Sequence, residues 1–421
     1  MSSISFRIKL AVIVFYSAFV LFVSVRYLQN GEDLIRQVSD GRISPLMNTL
    51  LRSTADLHHG SWCVLPNAFA PRNDSSANQP PREHTTLVLH LSADLLDDSL
   101  IAQLENWNGP VSLAVYAMNP EVEIPCAAEL IERLYRDHSA AMDHLRLHFF
   151  YKSSSNGSCT LRATASEDCS RRTRTRKDIT TSHAMAEKTL EELAAYPANA
   201  ARNIARKYAS SKFILLADYD HMFSEGFESR LSELAERELS TDPLAVLVYR
   251  IFEIDDAVKE NPKTKADLAK LLADNEGRAI IFHAKYYSSH SIPGLQEWLR
   301  KDSGTGDGIF ARNLTFHPYS WEPQFVSLTT IPEHDENFPY MIRDNTCLRW
   351  EMCRAGYHLQ VVDDHFMFHR GIKKQGTAEF KKIKQAQRMN SKKFDAALQR
   401  FNQRMNETYP STARNCPKFA A

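Results

Sequence analysis

From residue 85 onward the chain alternates short apolar runs with stretches of helical periodicity. Residues 85–91 (TTLVLHL), 111–116, 145–151, 212–217 (KFILLA) and 244–254 read as strands. The segments between them, 94–107, 126–138, 182–208 with a break near Pro197, and 225–239, repeat apolar positions every three or four residues. Strands that alternate with helices predict an α/β fold on a mostly parallel sheet covered on both faces. The second half is less regular. It carries a charged helix over 263–273, an aromatic loop region reaching Trp321-Glu322-Pro323, and a helix over 345–355 bearing Cys347 and Cys353. Strand character follows at 361–362 and 366–368. A basic amphipathic helix closes the chain, with Phe380, Ile383, Phe394, Leu398, Phe401 and Met405 on its apolar side. There is no internal repeat.

The N-terminal segment changes the picture from a globular chain to an anchored one. Residues 10–25 (LAVIVFYSAFVLFVSV) carry no charge and are bracketed by Arg7, Lys9 and Arg26. As a helix, these 16 residues span about 24 Å, enough for a thin early-secretory membrane. A cleaved signal peptide shares this pattern, but small residues in an A-x-A arrangement are missing and Arg26 follows at once. The expected organisation is a cytoplasmic tail over 1–9, a transmembrane signal-anchor over 10–26 and a polar stem over 27–83. The stem ends in NDSSANQPPRE, a composition that resists helix and strand alike. Trp62, Cys63 and Val64 would dock part of it on the body.

Four N-glycosylation triplets begin at Asn73, Asn156, Asn313 and Asn406, all after the apolar run, which favours a luminal body. Seven cysteines suit an oxidising lumen, and the odd count leaves one free or paired between chains. Their spacing resembles no zinc site. Lys plus Arg and Asp plus Glu balance at 51 each, so no global field points to nucleic acid.

The chemistry concentrates behind the most apolar strand. Asp218-Tyr219-Asp220 leaves the carboxyl end of KFILLA, where ligands bind in open α/β sheets. Two carboxylates at i and i+2 there suit Mn²⁺ or Mg²⁺ held jointly with a diphosphate. Upstream, Arg202 and Arg206 are four apart, on one helix face from which they reach phosphates or remain solvated. Downstream, His365 and His369 lie in VVDDHFMFHRG, with His369 at the end of an apolar strand where a metal ligand is plausible in geometry.

At these residues the sequence resembles glycosyltransferase family 49. The similar stretches are Tyr196-Pro-Ala-Asn with Arg202-Asn-Ile-Ala-Arg206, Asp218-Tyr-Asp220 with Ser224-Glu-Gly226, and Phe252-Glu-Ile254 leading into 263–272. They continue through Trp321-Glu-Pro-Gln-Phe325, Pro332-Glu-His-Asp-Glu-Asn-Phe338 and Phe368-His-Arg-Gly371, and together cover roughly residues 85–405. The resemblance implies a GT-A-type Rossmann-like fold, with a nucleotide-sugar-binding half over 84–254 and an acceptor-binding half over 255–421. It also implies a single-pass type II Golgi membrane protein that transfers a sugar from a UDP donor with inversion. Carried over, Asp218 and Asp220 become metal residues and His369 the third ligand. Arg202, Asn203, Arg206 and Asp218 become donor contacts. Inversion needs a carboxylate base; Asp335 is the first candidate, followed by Glu336 and Glu322.

Two features depart from the family pattern. Where it usually carries a glycine-aromatic step before an Asn, this chain reads Pro339-Tyr-Met-Ile-Arg-Asp-Asn345. Residues 153–181, with a basic run over 171–177, look like an insertion whose charges form a solvated loop. Glucuronate is the expected sugar, moved to a glycan or glycoprotein acceptor, and UDP-N-acetylglucosamine is the alternative donor. A non-catalytic glycan-binding protein that kept the fold is a second class, and a homodimer stays open. A two-metal phosphohydrolase would need a second carboxylate or histidine cluster, which is not found.

Overall fold

The computed structural model describes residues 45–71, 82–154, 156–161, 169, 188–285, 288–301, 308–314, 320–416 and 419. The expected tail over 1–9, the anchor over 10–26, the Asn73 triplet and the basic run over 171–177 lie outside these residues. Among the described residues, no helix is long and apolar enough to cross a membrane.

The strands are β1 (Asp56–His58), β2 (Trp62–Phe69), β3 (Arg82–Ser92), β4 (Val111–Tyr116), β5 (Leu145–Lys152), β6 (Ser211–Leu216), β7 (His221–Phe223), β8 (Ala245–Ile254), β9 (Ala279–Ile281), β10 (Ile309–Leu314), β11 (Gln324–Leu328) and β12 (His358–Arg370). They form one α/β sheet in the order β1-β2-β5-β4-β3-β6-β11-β8-β12-β10, with β7 on β12 and β9 on β8. The run β5-β4-β3-β6 is parallel, as is the pair β8-β12. The sheet is nonetheless mixed rather than mostly parallel, because β11 enters antiparallel between β6 and β8. Its five residues, QFVSL, follow Trp321-Glu322-Pro323 and carry too little pattern to stand out from the loop before them.

The buried strands are predominantly apolar because both faces of the sheet are covered. Leu87, Leu113, Leu147, Phe213, Leu215 and Tyr249 face one core under helices Ser99–Trp107, Pro120–Asp137 and Phe227–Leu239. Val88, Ala114, Phe150, Ile214, Leu216 and Val248 face the other, under helices Ala198–Lys207 and Thr346–Arg354. The long helix Ala378–Thr408 packs Phe394, Phe401 and Met405 against Phe338, Trp350 and Phe419.

Part of the segment expected as stem is folded into the body. Helix Pro45–Arg52 buries Met47 and Leu50, and β2 pairs with β5 from Trp62 to Phe69. Three disulfides, Cys63–Cys159, Cys126–Cys169 and Cys353–Cys416, accompany a buried free thiol at Cys347. The division expected at 254/255 falls at the end of β8, inside one continuous sheet. Of the glycosylation triplets in the described residues, Asn156, Asn313 and Asn406 are all exposed.

Leu215 lies at the centre of the sheet with no exposed surface. Leu215→Ala is expected to cost about 2–5 kcal/mol, read as a lower urea midpoint at unchanged m-value.

Candidate functional site

The site forms where β6 ends. The strand SKFILL, apolar from Phe213 to Leu216, is held by β3 on one side and β11 on the other, so the chain emerges rigidly into Ala217 and Asp218. Asp218 directs a side chain that is 57% exposed into the open, whereas Asp220 is 20% exposed. A short return through β7 then pairs His221 with His369 on β12. That pairing brings Asp220 and His369 together: His369 Nε2 lies 2.8 Å from Asp220 Oδ2. The other ring nitrogen, Nδ1, donates to the Gly371 carbonyl at 3.2 Å. With Nδ1 tied to that carbonyl, Nε2 is the nitrogen turned to Asp220, where a metal ion would replace its proton.

Imidazoles surround the two carboxylates. His221 Nε2 is 3.7 Å and His90 Nε2 is 4.0 Å from the Asp218 carboxylate. Both nitrogens are buried without a hydrogen-bond partner among the described residues. The Asp218 backbone N–H donates to His221 Nδ1 at 3.1 Å, and His90 Nδ1 meets the Tyr196 hydroxyl at 2.8 Å. Burial lowers the His90 pKa to about 3, helped by the Arg202 charge, and burial also lowers that of His221. Burial alone would raise the carboxylates. Asp218 is instead held below its usual value by His221 and Arg202, and Asp220 well below by His369. Carboxylates and an imidazole are donors of the kind that suits Mn²⁺ or Mg²⁺; Asp220 and His369 are in contact here, while Asp218, two residues earlier, is turned to solvent.

The far wall comes from the ends of β8 and β12. Phe282 packs edge-on against His221 and His369, and Lys373 lies over its ring. Glu253, fully buried at the end of β8, accepts the backbone N–H groups of His283 and Lys373. These residues, with His90, His221 and His290, were not singled out from the sequence. Glu253 and His90 lie at the carboxyl ends of parallel strands, so the rule that located Asp218 also points to them.

The expected donor contacts separate. Arg202 is buried, donating to Asp344 Oδ2 and to Asn199 Oδ1, both at 2.8 Å, and its charge acts on Asp218. Asn203 and Arg206 instead hold the loop over 329–344 against the helix. Asn203 bonds both main-chain groups of His334 and the Glu336 carboxylate. Arg206 donates to the carbonyls of Thr329, Ile331 and Pro332 at 2.8, 2.6 and 2.6 Å. Asn199 adds the carbonyls of Asp335 and Asp344. One helix face thus grips the loop from end to end, and the loop delivers Tyr340 to Tyr196, ring centroids 5.1 Å apart. In the stretch that departs from the family pattern, Met341 and Arg343 take positive φ values of 69° and 55°, the backbone a glycine adopts without steric cost.

The three carboxylates considered as base face different surroundings. Asp335 pairs with Arg404 at 3.2 Å and accepts from Asn337. Glu336 accepts from His58, His59 and Asn203. Glu322 lies two residues before β11, whose Val326 sits opposite Leu215, three residues before Asp218. Its carboxylate is held by Asn345 and Thr346, and its main chain bonds Ser289 and His290 beside Phe282. His365 is buried in the core against Phe227, away from the carboxylates.

Residues 84–410 match the family described as "Glycosyl-transferase for dystroglycan". The Beta-1,4-glucuronyltransferase 1 of Danio rerio is 25% identical over 383 residues, covering 85% of this chain and 82% of that protein. The Xylosyl- and glucuronyltransferase LARGE1 of Mus musculus is 22% identical over 347 residues, covering 81% of this chain and 37% of that protein. Among solved structures, GalNAc-T7 with UDP, GalNAc and Mn²⁺ overlays 89% of this chain and 60% of its own at 11% identity. Its TM-score of 0.37 is too low for the overlay to bear on the site.

If Arg206 serves the loop rather than the donor, Arg206→Met leaves buried carbonyls unsatisfied. A loss of about 1–3 kcal/mol is expected in chemical denaturation, with affinity for UDP unchanged. A loss of UDP affinity at unchanged stability would return Arg206 to the donor site.

Proposed function

The chain belongs to the glycosyltransferase family for dystroglycan, and on that premise we propose that it is a metal-dependent, inverting transferase of GT-A type that moves glucuronate from UDP-glucuronate to a glycan acceptor. The observation that carries the reading is the Asp220–His369 pair beside Asp218 at the carboxyl end of β6. The names of its relatives, a glucuronyltransferase and a xylosyl- and glucuronyltransferase, support the choice of sugar. The apolar run over 10–25 and the three disulfides support a type II protein of the Golgi lumen.

In this reading Asp218, Asp220 and His369 would hold a divalent cation, which would supply positive charge to offset that of a diphosphate leaving group. The remaining work falls to the chain's own groups. Arg202 sets the charge balance at Asp218 from behind, and the buried rings of His90, His221 and Phe282 narrow the access of water. Glu322 takes the proton of the acceptor hydroxyl as that oxygen forms its bond to the anomeric carbon. Asn345 and Thr346 orient its carboxylate. Asp335 and Glu336, engaged with Arg404 and with the His58–His59 pair, hold the loop instead.

The test is UDP release by the full chain with a panel of UDP-sugars and Mn²⁺, with and without β-xyloside and β-galactoside acceptors. Release with UDP-glucuronate, enhanced by one acceptor, is the expected result; release with UDP-N-acetylglucosamine alone would replace the donor. Asp220→Ala is expected to abolish Mn²⁺-dependent turnover with the fold intact, and retained full activity would overturn the metal assignment. Glu322→Gln should lower kcat by about 10²–10⁴-fold while UDP still binds. An Asp335→Asn variant that loses as much would move the base to Asp335.

A further inference from the structure

A second convergence of ligand atoms lies outside this site, on the turn between β1 and β2. His58, His59 and Glu336 each place one nitrogen or oxygen within 4.8 Å of the others. His58 Nε2 is 2.7 Å and His59 Nδ1 is 3.1 Å from the same oxygen, Glu336 Oε1. The two rings are stacked, with centroids 4.0 Å apart, and both nitrogens meet that one oxygen. The other nitrogen of His59, Nε2, faces the Glu333 carboxylate at 3.8 Å. A carboxylate behind the far nitrogen of a ligating imidazole is the arrangement that orients such rings on a metal.

His59 has φ +47° and is followed by Gly60 at φ +67°. A tight turn with two left-handed residues favours Asn or Gly at the first position. Histidine is one of the few non-glycine types that also take this backbone. His58 is 5% exposed, but His59 is 55% exposed and opens on a cavity of ≈ 710 Å³ also lined by Glu333 and Glu336. An ion therefore has an entry path and an open coordination position for water.

We propose that His58, His59 and Glu336 bind a divalent transition-metal ion of the class that imidazole selects, zinc above all. The ion ties the first hairpin of the folded body to the loop over 329–344, whose far end carries Tyr340. Two imidazoles and one carboxylate suit zinc better than Mn²⁺ or Mg²⁺, which prefer oxygen ligands. The site is separate from the one that holds the donor and does not depend on which sugar is transferred.

The test uses the full chain, stripped with a chelator and dialysed against Zn²⁺, with metal content from elemental analysis. Co²⁺ serves as a spectroscopic substitute whose visible absorption reports the ligand set. His59→Gly removes the imidazole and relaxes the backbone, so its fold in metal-free buffer should match the wild type. His59→Asn, equally tolerant of the left-handed turn, is the second variant. The expected result is loss of one bound equivalent and of the associated rise in Tm in both variants, with that equivalent kept in Asp220→Ala. Unchanged zinc content in the His59 variants would overturn the proposal. So would loss of all zinc in Asp220→Ala, which would place the ion at the donor site alone.

Discussion

The site rests on the polar face that helix Ala198–Lys207 turns toward the loop over 329–344. Asn199, Arg202, Asn203 and Arg206 recur at helical spacing and are paired with main-chain carbonyls, the His334 N–H, Asp344 and Glu336. The opposite face of the same helix buries Ala201, Ile204 and Ala205 against the sheet. A loop with so many carbonyls could not be buried without these donors. Removing one partner leaves the others unsatisfied, so the network is held together more strongly than any single bond suggests. Its product is the placement of Tyr340, and of the Asn345 that orients Glu322.

The same economy of placement governs charge at the strand tip. Asp218, open to solvent, is held ionised by the Arg202 charge, and Asp220 by its hydrogen bond to His369 although burial opposes it. The arginine is itself balanced by Asp344. Burial lowers the pKa values of His90, His221 and His290, so these rings line the site as uncharged aromatic walls rather than as competing cations. The negative charge of the two carboxylates therefore remains available to a ligand entering from solvent.

The sequence was most legible where the chain is regular. The apolar run KFILLA marked β6 and thereby Asp218 and Asp220, and the break at Pro197 separated helices Leu190–Ala195 and Ala198–Lys207 as expected. β12 was visible only in pieces: its 13 residues contain a register shift between Val361 and Phe366, with Asp363 and Asp364 turned to Lys265. Buried charges at that irregularity broke the apolar pattern. Arg202 and Arg206 were recognised as one helix face, yet which of them looks toward the cleft depends on the loop they grip. That loop is 120 or more residues away in sequence, beyond the reach of any local pattern. Asp335 and Glu336 illustrate the same limit, since Arg404 and His58 approach them from opposite ends of the chain.

The helix Thr346–Arg354 carries a free thiol at Cys347 and stands next to a bridge formed by Cys353 with Cys416. Six residues are about 1.7 turns of helix, so the two sulfurs leave different sides of the rod. Cys347 points inward, bonded to the Asp344 carbonyl and packed with Phe338 and Phe401. In an oxidising compartment the hazard is a mispaired bridge between Cys416 and the wrong member of this pair. The helix separates the two by orientation: it presents Cys353 to the tail segment carrying Cys416 and keeps Cys347 in the core.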